Sequence, residues 1–343
     1  MSDLKDIQPI LRQLVDGHSL TLDEARATFD AVMAGNATDA QIGVILTVLT
    51  LRAGGPTVDE ITGAAMAMRA AATPVPVPEG FEVIDVVGTG GDGAATFNIS
   101  TTAALIAAGA GAKVAKHGNR AVTSSSGASQ VLEALGVKLG VAAETQSQCL
   151  TEAGICFCFA PMHHPAMKRV IGPRKELGFR TIFNILGPLT NPAGAKRYLL
   201  GVFDPQLTEP IANVLGQLGA TDAMVVHGGG LDEITTAGPT QVSELRNGKV
   251  TTTQISPEQF GVDPAKISDL VVDSPQASAE VVRGILEGKP GPARDIATLN
   301  TAAALVVAGL AASIDEGLTL ARRSVDEGKA KATLDTLARV TNA

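Results

Sequence analysis

The sequence has no tryptophan and a single tyrosine, Tyr198. Single-stranded nucleic acid is bound on stacked aromatic platforms, and this chain has no rings to build one. Positive charge is also scarce. Lys and Arg number 27 against 35 Asp and Glu, a formal net charge of -8. General nucleic-acid or membrane-surface binding wants a basic footprint, so any anion site here must be local. Three cysteines, Cys149, Cys156 and Cys158, cannot make an even disulfide framework. Cys156 and Cys158 alternate within Ile155-Cys156-Phe157-Cys158-Phe159, which places both on one face of a strand and predicts core packing. No apolar run approaches the roughly 18 residues of a membrane span. Residues 1–6 carry no apolar signal region, so a cytoplasmic location is expected.

Glycine, by contrast, is abundant, and it concentrates where it matters. Gly88-Thr89-Gly90-Gly91-Asp92-Gly93 follows the β-branched run Val83-Ile84-Asp85-Val86-Val87 and precedes Asn98-Ile99-Ser100-Thr101 and an alanine-rich helix former. The order is strand, glycine loop, capped helix. Such a junction offers free N–H groups and the positive end of a helix dipole, which suits phosphate. Gly88, Gly90 and Gly93 also satisfy the dinucleotide fingerprint G-x-G-x-x-G. That fingerprint expects an acidic residue about 20 positions on. Here the next strand leads into Lys116-His117-Gly118-Asn119-Arg120, so a phosphate-rich substrate is expected ahead of a nicotinamide cofactor.

Residues 1–73 read as helical. Capping boxes stand at Thr21-x-x-Glu24, Thr38-x-x-Gln41 and Thr57-x-x-Glu60, with Gly17, Gly35 and Gly54-Gly55 as stops. The segment 42–51 is apolar nearly all round, which predicts a helix buried on several sides. So small a unit is marginal alone. A subunit contact through it is expected, with a purely intrachain contact as the alternative. Pro74-Val75-Pro76-Val77-Pro78 then reads as a stiff connector and hinge. Beyond it, strands near 82–87, 112–116, 155–159, 198–203 and 222–227 alternate with helices near 100–109, 127–135, 144–153, 163–177 and 207–218. That rhythm predicts βαβ crossovers and a mostly parallel sheet with flanking helices, an α/β fold behind a small helical domain. A hairpin turning at Asn247-Gly248 follows. Helices near 277–287, 295–312 and 316–339 close the chain.

Three further groups carry chemistry. Lys116 and Arg120, with Thr123, Ser124, Ser125, Ser126 and Gly127, supply cations and hydroxyls for a second phosphate. Adjacent His163 and His164 point to different faces, which argues against a two-histidine metal site. Arg174 offers a fork for a carboxylate. After a strand and a glycine run, Asp232 and Glu233 suit a cation held between protein and phosphates, with Ser100 as a helper.

Together Gly88-Thr89-Gly90-Gly91-Asp92, Asn98-Ile99-Ser100-Thr101, Lys116-His117-Gly118-Asn119-Arg120, the stretch 180–192 and Leu231-Asp232-Glu233-Ile234 resemble the anthranilate phosphoribosyltransferase family, in its order and spacing. The resemblance implies a helical domain (residues 1–73, joined by part of 163–190) that dimerises, and an α/β domain (74–343). It implies Mg²⁺-dependent transfer of phosphoribose from 5-phosphoribosyl 1-pyrophosphate to anthranilate in tryptophan synthesis. Carried over by motif, Gly88, Gly91, Asp92, Thr96, Asn98, Ile99, Ser100, Thr101, Lys116, His117, Gly118, Asn119, Arg120, Ser124 and Ala128 form the donor site. Ser100, Asp232 and Glu233 are the implied Mg²⁺ ligands, and Gly88, Asn119 and Arg174 the implied anthranilate contacts, with no general base.

The chain departs from the family at 125–130. A lysine, a serine and an aspartate give way to Ser125, Ala128 and Gln130. One positive charge is lost there, and a weaker hold on pyrophosphate is expected. A pyrimidine nucleoside phosphorylase-like enzyme and a noncatalytic phosphoribosyl-binding paralogue are the alternatives.

Overall fold

A computed structural model describes residues 7–120 and 127–343. Four helices come first: α1 (Gln8–Val15), α2 (Leu22–Ala34), α3 (Asp39–Leu51) and α4 (Val58–Ala70). The three threonines start α2, α3 and α4 as expected. Each hydroxyl accepts the backbone N–H three residues on, and the side chain of Glu24, Gln41 or Glu60 accepts the threonine N–H in return. Two donors that a helix start leaves open are thereby satisfied. Glu60 also pairs with Arg52 and accepts from Leu20 N at 2.9 Å. Burial pushes its carboxyl up, but Arg52 and the amides outweigh that and hold it below the usual range.

α3 buries Ile42, Ile45, Leu46 and Leu49, one stripe at helical spacing. Burial on several sides does not hold within one chain. Val44 and Leu51 are exposed, Leu51 by 76%, as is Val15 of α1 at 66%.

The sheet begins with β1 (Val83–Gly88), α5 (Ile99–Gly109), β2 (Lys113–Gly118), α6 (Ala128–Ala134), α7 (Ala143–Glu152) and β3 (Ile155–Phe159). α8 (Ala160–His163), α9 (Lys168–Leu177) and α10 (Phe183–Leu186) follow. The single helix expected over 163–177 is broken. Pro165 disfavours helical backbone at His164, which sits at φ -120° and ψ 63° before a 3₁₀ turn. α9 packs on α3 and α2. Then come β4 (Arg197–Gly201), α11 (Thr208–Gln217), β5 (Asp222–Gly228), and the hairpin β6 (Thr240–Arg246) and β7 (Lys249–Ile255). α12 (Pro275–Leu286), α13 (Pro292–Val307), α14 (Ile314–Asp326) and α15 (Lys329–Asn342) end the fold. Here too the expected helices shorten. Gly309 at φ 76° follows the end of α13, and Gly328 at φ 71° splits 316–339 in two.

Sheet order is β3-β2-β1-β4-β5-β6-β7, the first five strands parallel and the hairpin antiparallel at one edge. α5 and α13 lie on the sheet, with α14 and α15 stacked on α5, and α11 packs on both β5 and α4. Arg69 of α4 staples the helical unit to the sheet layer, donating to Leu189 O (2.7 Å), Leu218 O (3.1 Å) and the Tyr198 hydroxyl (3.2 Å). The proline connector is tethered as well as stiff: Thr73 N donates to His163 O and Val75 N to Pro192 O.

Candidate active site

Parallel strands bring their carboxyl ends to one edge, and a crevice opens where strand order reverses. Here the reversal falls between β1 and β4, which end side by side at Gly88 and Gly201. Both glycines are there for clearance. A Cβ on Gly88 would stand 2.3 Å from Asp232 Oδ2, and one on Gly201 would stand 1.5 Å from the Asp232 carbonyl oxygen. The loop carrying Asp232 and Glu233 can therefore lie directly across the strand ends.

The glycine loop closes on that loop from the other side. Gly90 N donates to Asp232 Oδ2 at 2.7 Å, and Thr89 N to Gly201 O at 2.9 Å. Gly90 and Gly91 adopt φ of 66° and 77°, backbone that a side chain resists. Further on, Thr96 bridges Val271, and Asn98 caps α5 by accepting from Thr101 N at 2.9 Å. Ser100 stands in the first turn of that helix, and its backbone N–H is among the groups that draw the Glu233 carboxyl down.

Asp232 and Glu233 lose hydration at this crevice floor. That loss, with repulsion from Asp92, pushes the Asp232 carboxyl up to about 6. Glu233 is driven well above its usual range by the same desolvation and by Asp232. The two carboxylates are thus short of positive charge. Together with the Ser100 hydroxyl they form a hard-oxygen donor set, which suits Mg²⁺. Among the described residues no three His, Cys, Asp or Glu side chains form a cage by themselves. Mg²⁺ shared with phosphates needs only one or two carboxylates.

Beneath the loops lies a buried polar network that sequence reasoning missed. Lys116 and His117 are 2% and 4% exposed, which corrects the expectation of a basic loop facing the ligand. Lys116 Nζ donates to Val86 O (2.6 Å) and Ser100 Oγ (3.2 Å). Asp85, fully buried, accepts from His117 N (3.1 Å) and Asn191 Nδ2 (2.7 Å). Burial raises its carboxyl to about 6, with Lys116 and these donors pulling the other way. The sequence did offer a signal: Asp85 is the one charge inside a β-branched strand.

His117 continues the network. Its Nδ1 meets Gly187 O at 3.1 Å and its Nε2 meets His164 Nε2 at 3.2 Å. Desolvation depresses His117 to about 3 and His164 to about 4. Both imidazoles are therefore neutral in the fold while the unfolded chain takes protons from about pH 6.5 downward. Their stabilising contribution is complete above about pH 6.5 and declines as pH falls toward 4. Asp85 runs oppositely, so the difference against a variant isolates the histidine. The stability advantage of the parent over His164→Gln, measured by urea unfolding, should shrink on acidification below about pH 6.5, at about 1.4 kcal/mol per pH unit per proton. A difference independent of pH would contradict this reading.

The other expected residues divide. Asn119 and Arg120 are exposed at the same edge, Arg120 paired with Glu133 at 2.9 Å. Arg174 is half-buried over the Phe183 ring at 5.4 Å, and burial lowers its pKa. No carboxylate pairs with it among the described residues, so the guanidinium is available to an acidic ligand. Ile99 is core, Thr101 has a buried hydroxyl without a partner, and Gly118 packs against the Phe157 ring. Ala128 opens α6. Ser124 lies outside the described residues, as do Thr123, Ser125 and Ser126. His163 bonds Thr73 O and Gln146, apart from the His117–His164 contact.

Comparison with known proteins finds relatives over nearly the whole chain. Residues 8–72 match the model of the glycosyl transferase family's helical bundle domain, and residues 80–331 that of its a/b domain. An anthranilate phosphoribosyltransferase of Rhodopseudomonas palustris strain TIE-1 is 51% identical over 98% of this chain and 99% of its own. The crystal structure of the Thermus thermophilus anthranilate phosphoribosyltransferase is 41% identical, with a TM-score of 0.92 over 97% of this chain and 99% of that one. The Saccharomyces cerevisiae enzyme in complex with PRPP and Mg is 27% identical, with a TM-score of 0.89 over 99% of each chain.

Proposed function

Since the chain belongs to the anthranilate phosphoribosyltransferases of the glycosyl transferase family, we propose that it transfers phosphoribose from 5-phosphoribosyl 1-pyrophosphate to the amine of anthranilate, a step of tryptophan synthesis. The products are N-(5-phosphoribosyl)anthranilate and pyrophosphate. One observation carries the site assignment: the glycine loop and the acidic pair meet at the switch point, Gly90 N on Asp232 Oδ2 at 2.7 Å.

Displacement at the anomeric carbon builds positive charge on the sugar and negative charge on the departing pyrophosphate. Asp232, Glu233 and the Ser100 hydroxyl would hold Mg²⁺, which when bound neutralises the leaving pyrophosphate. The loop amides and the α5 N-terminus supply fixed dipoles for the same charge. Arg174, which has no carboxylate partner among the described residues, receives that of anthranilate, with Asn119 as a further contact. The aromatic amine attacks as a neutral nucleophile, so orientation matters more than deprotonation. No side chain is assigned as a strong general base. Lys116 acts from below, through Ser100.

The decisive assay mixes the protein with anthranilate, the donor and Mg²⁺ and follows loss of anthranilate fluorescence. Signal loss requiring both donor and Mg²⁺ is the expected result. Phosphorolysis of thymidine or uridine with no such loss would instead establish the nucleoside phosphorylase reading.

Residues 1–73 with part of 163–190 form, in this reading, one unit that pairs with a second copy. Support comes from Val15, Val44, Leu51 and Ile171, exposed apolar side chains on α1, α3 and α9, of which α3 packs on both of the others. Leu51→Glu should shift sedimentation from dimer to monomer; an unchanged sedimentation coefficient would reject this face. A cytoplasmic location is supported by three free, buried cysteines and by the absence, among the described residues, of any helix long and apolar enough to cross a membrane.

A further inference from the structure

Arg180 lies between α9 and α10, outside every residue assigned above to substrate or metal. Its guanidinium stacks over the Phe203 ring, 4.3 Å from the centroid, and Nη2 donates to the Gly91 carbonyl. No carboxylate pairs with it among the described residues. An exposed arginine whose contacts are an aromatic face and one backbone oxygen is not acting as a surface ion pair.

In a planar trans peptide the C=O and the next N–H point in opposite directions. Holding the Gly91 oxygen toward Arg180 therefore fixes the Asp92 N–H on the other side of the loop. Glycines on this stretch resist peptide rotation weakly, with Gly90, Gly91 and Gly93 all at positive φ. The N–H groups of Gly91, Asp92 and Gly93 donate to no protein acceptor among the described residues, while their neighbours do: Gly90 N to Asp232 and Ala94 N to Asp92 Oδ1 at 3.1 Å. Consecutive free amides in such a turn make an anion-binding concavity.

We propose that Arg180 is a positioning residue for the donor: clamped on Phe203, it orients the Gly91–Asp92 peptide so that the amides of residues 91–93 are set for the pyrophosphate. This rests on the donor reading of the glycine loop. Arginine is required because its planar fork stacks and donates in the same plane, which a lysine ammonium cannot do. Because Arg180 comes from the segment joining α9, which packs on the helical unit, it also links that unit to the donor loop.

The test compares Arg180→Lys, Arg180→Ala and Phe203→Leu with the parent, reading kcat, both KM values, inhibition by Mg²⁺-pyrophosphate and thermal unfolding. Both Arg180 variants should raise the donor KM and weaken pyrophosphate inhibition together, by about tenfold or more. The anthranilate KM and melting temperature should stay near the parent's, and Phe203→Leu should move the same two quantities less. Unchanged donor KM and pyrophosphate inhibition in Arg180→Ala, or full recovery by lysine, would overturn the assignment. A parent protein that itself fails to use the donor would instead sink the reading beneath it.

Discussion

Replacing Asp232 and Glu233 together by alanine should cut turnover by about a thousandfold or more while the protein stays folded. The size of the drop follows from what the pair is placed to do. In the proposed reaction it would lie where the leaving pyrophosphate gathers charge, and single groups that stabilise such charge are each worth about a hundredfold or more. Stability should hold because burial and mutual repulsion make these carboxylates costly to ionise. Removing them leaves the N–H of Gly90 without its acceptor, but at a loop edge that water reaches. Turnover across an Mg²⁺ titration and urea unfolding are the two readouts. Turnover within about tenfold of the parent at every Mg²⁺ concentration would remove the pair from the mechanism.

The second large effect comes from a residue with no chemistry of its own. Gly201→Ala should lower activity by about a hundredfold and stability by about 1–3 kcal/mol. Its Cβ would stand 1.5 Å from a backbone oxygen, that of Asp232, so no side-chain rotation can relieve the clash. Either β4 or the acidic loop must move, and the acidic pair moves with it. Gly216→Ala is the control. Its Cβ would meet only Leu245 methyl groups at 3.5 Å and 3.7 Å, inside helix α11. There alanine should be neutral or slightly stabilising, since it loses less entropy than glycine in a helix. Kinetics and denaturant melts of both variants settle the comparison; a fully active Gly201→Ala protein would contradict the geometry at the strand ends.

Much of the fold was legible because it is written locally. Thr21, Thr38 and Thr57 announce their helices through capping boxes, and Asn247-Gly248 announces its hairpin. The misses have local causes too. Pro165 broke a helix read through it, and Gly309 and Gly328 ended helices read past them. The glycine loop, Asn98 and the acidic pair could be found from residue type and order. Their meeting could not, because it depends on strand order, and the β1–β4 reversal exists only in three dimensions. The inward turn of Lys116 and His117 was hidden for the same reason: the side chains reach Ser100, Gly187 and His164 across the fold. So was the Arg180–Phe203–Gly91 contact, assembled from three separate segments. Val44 and Leu51 show the converse case, where apolar character was read correctly but one chain alone does not cover it.

The most direct test of the whole account is a crystal structure of the protein with 5-phosphoribosyl 1-pyrophosphate and Mg²⁺. The account predicts the donor's pyrophosphate against the amides of residues 90–101, with a cation between it and Asp232 and Glu233. A donor seated away from that strand edge, or a cation held by other residues, would contradict it.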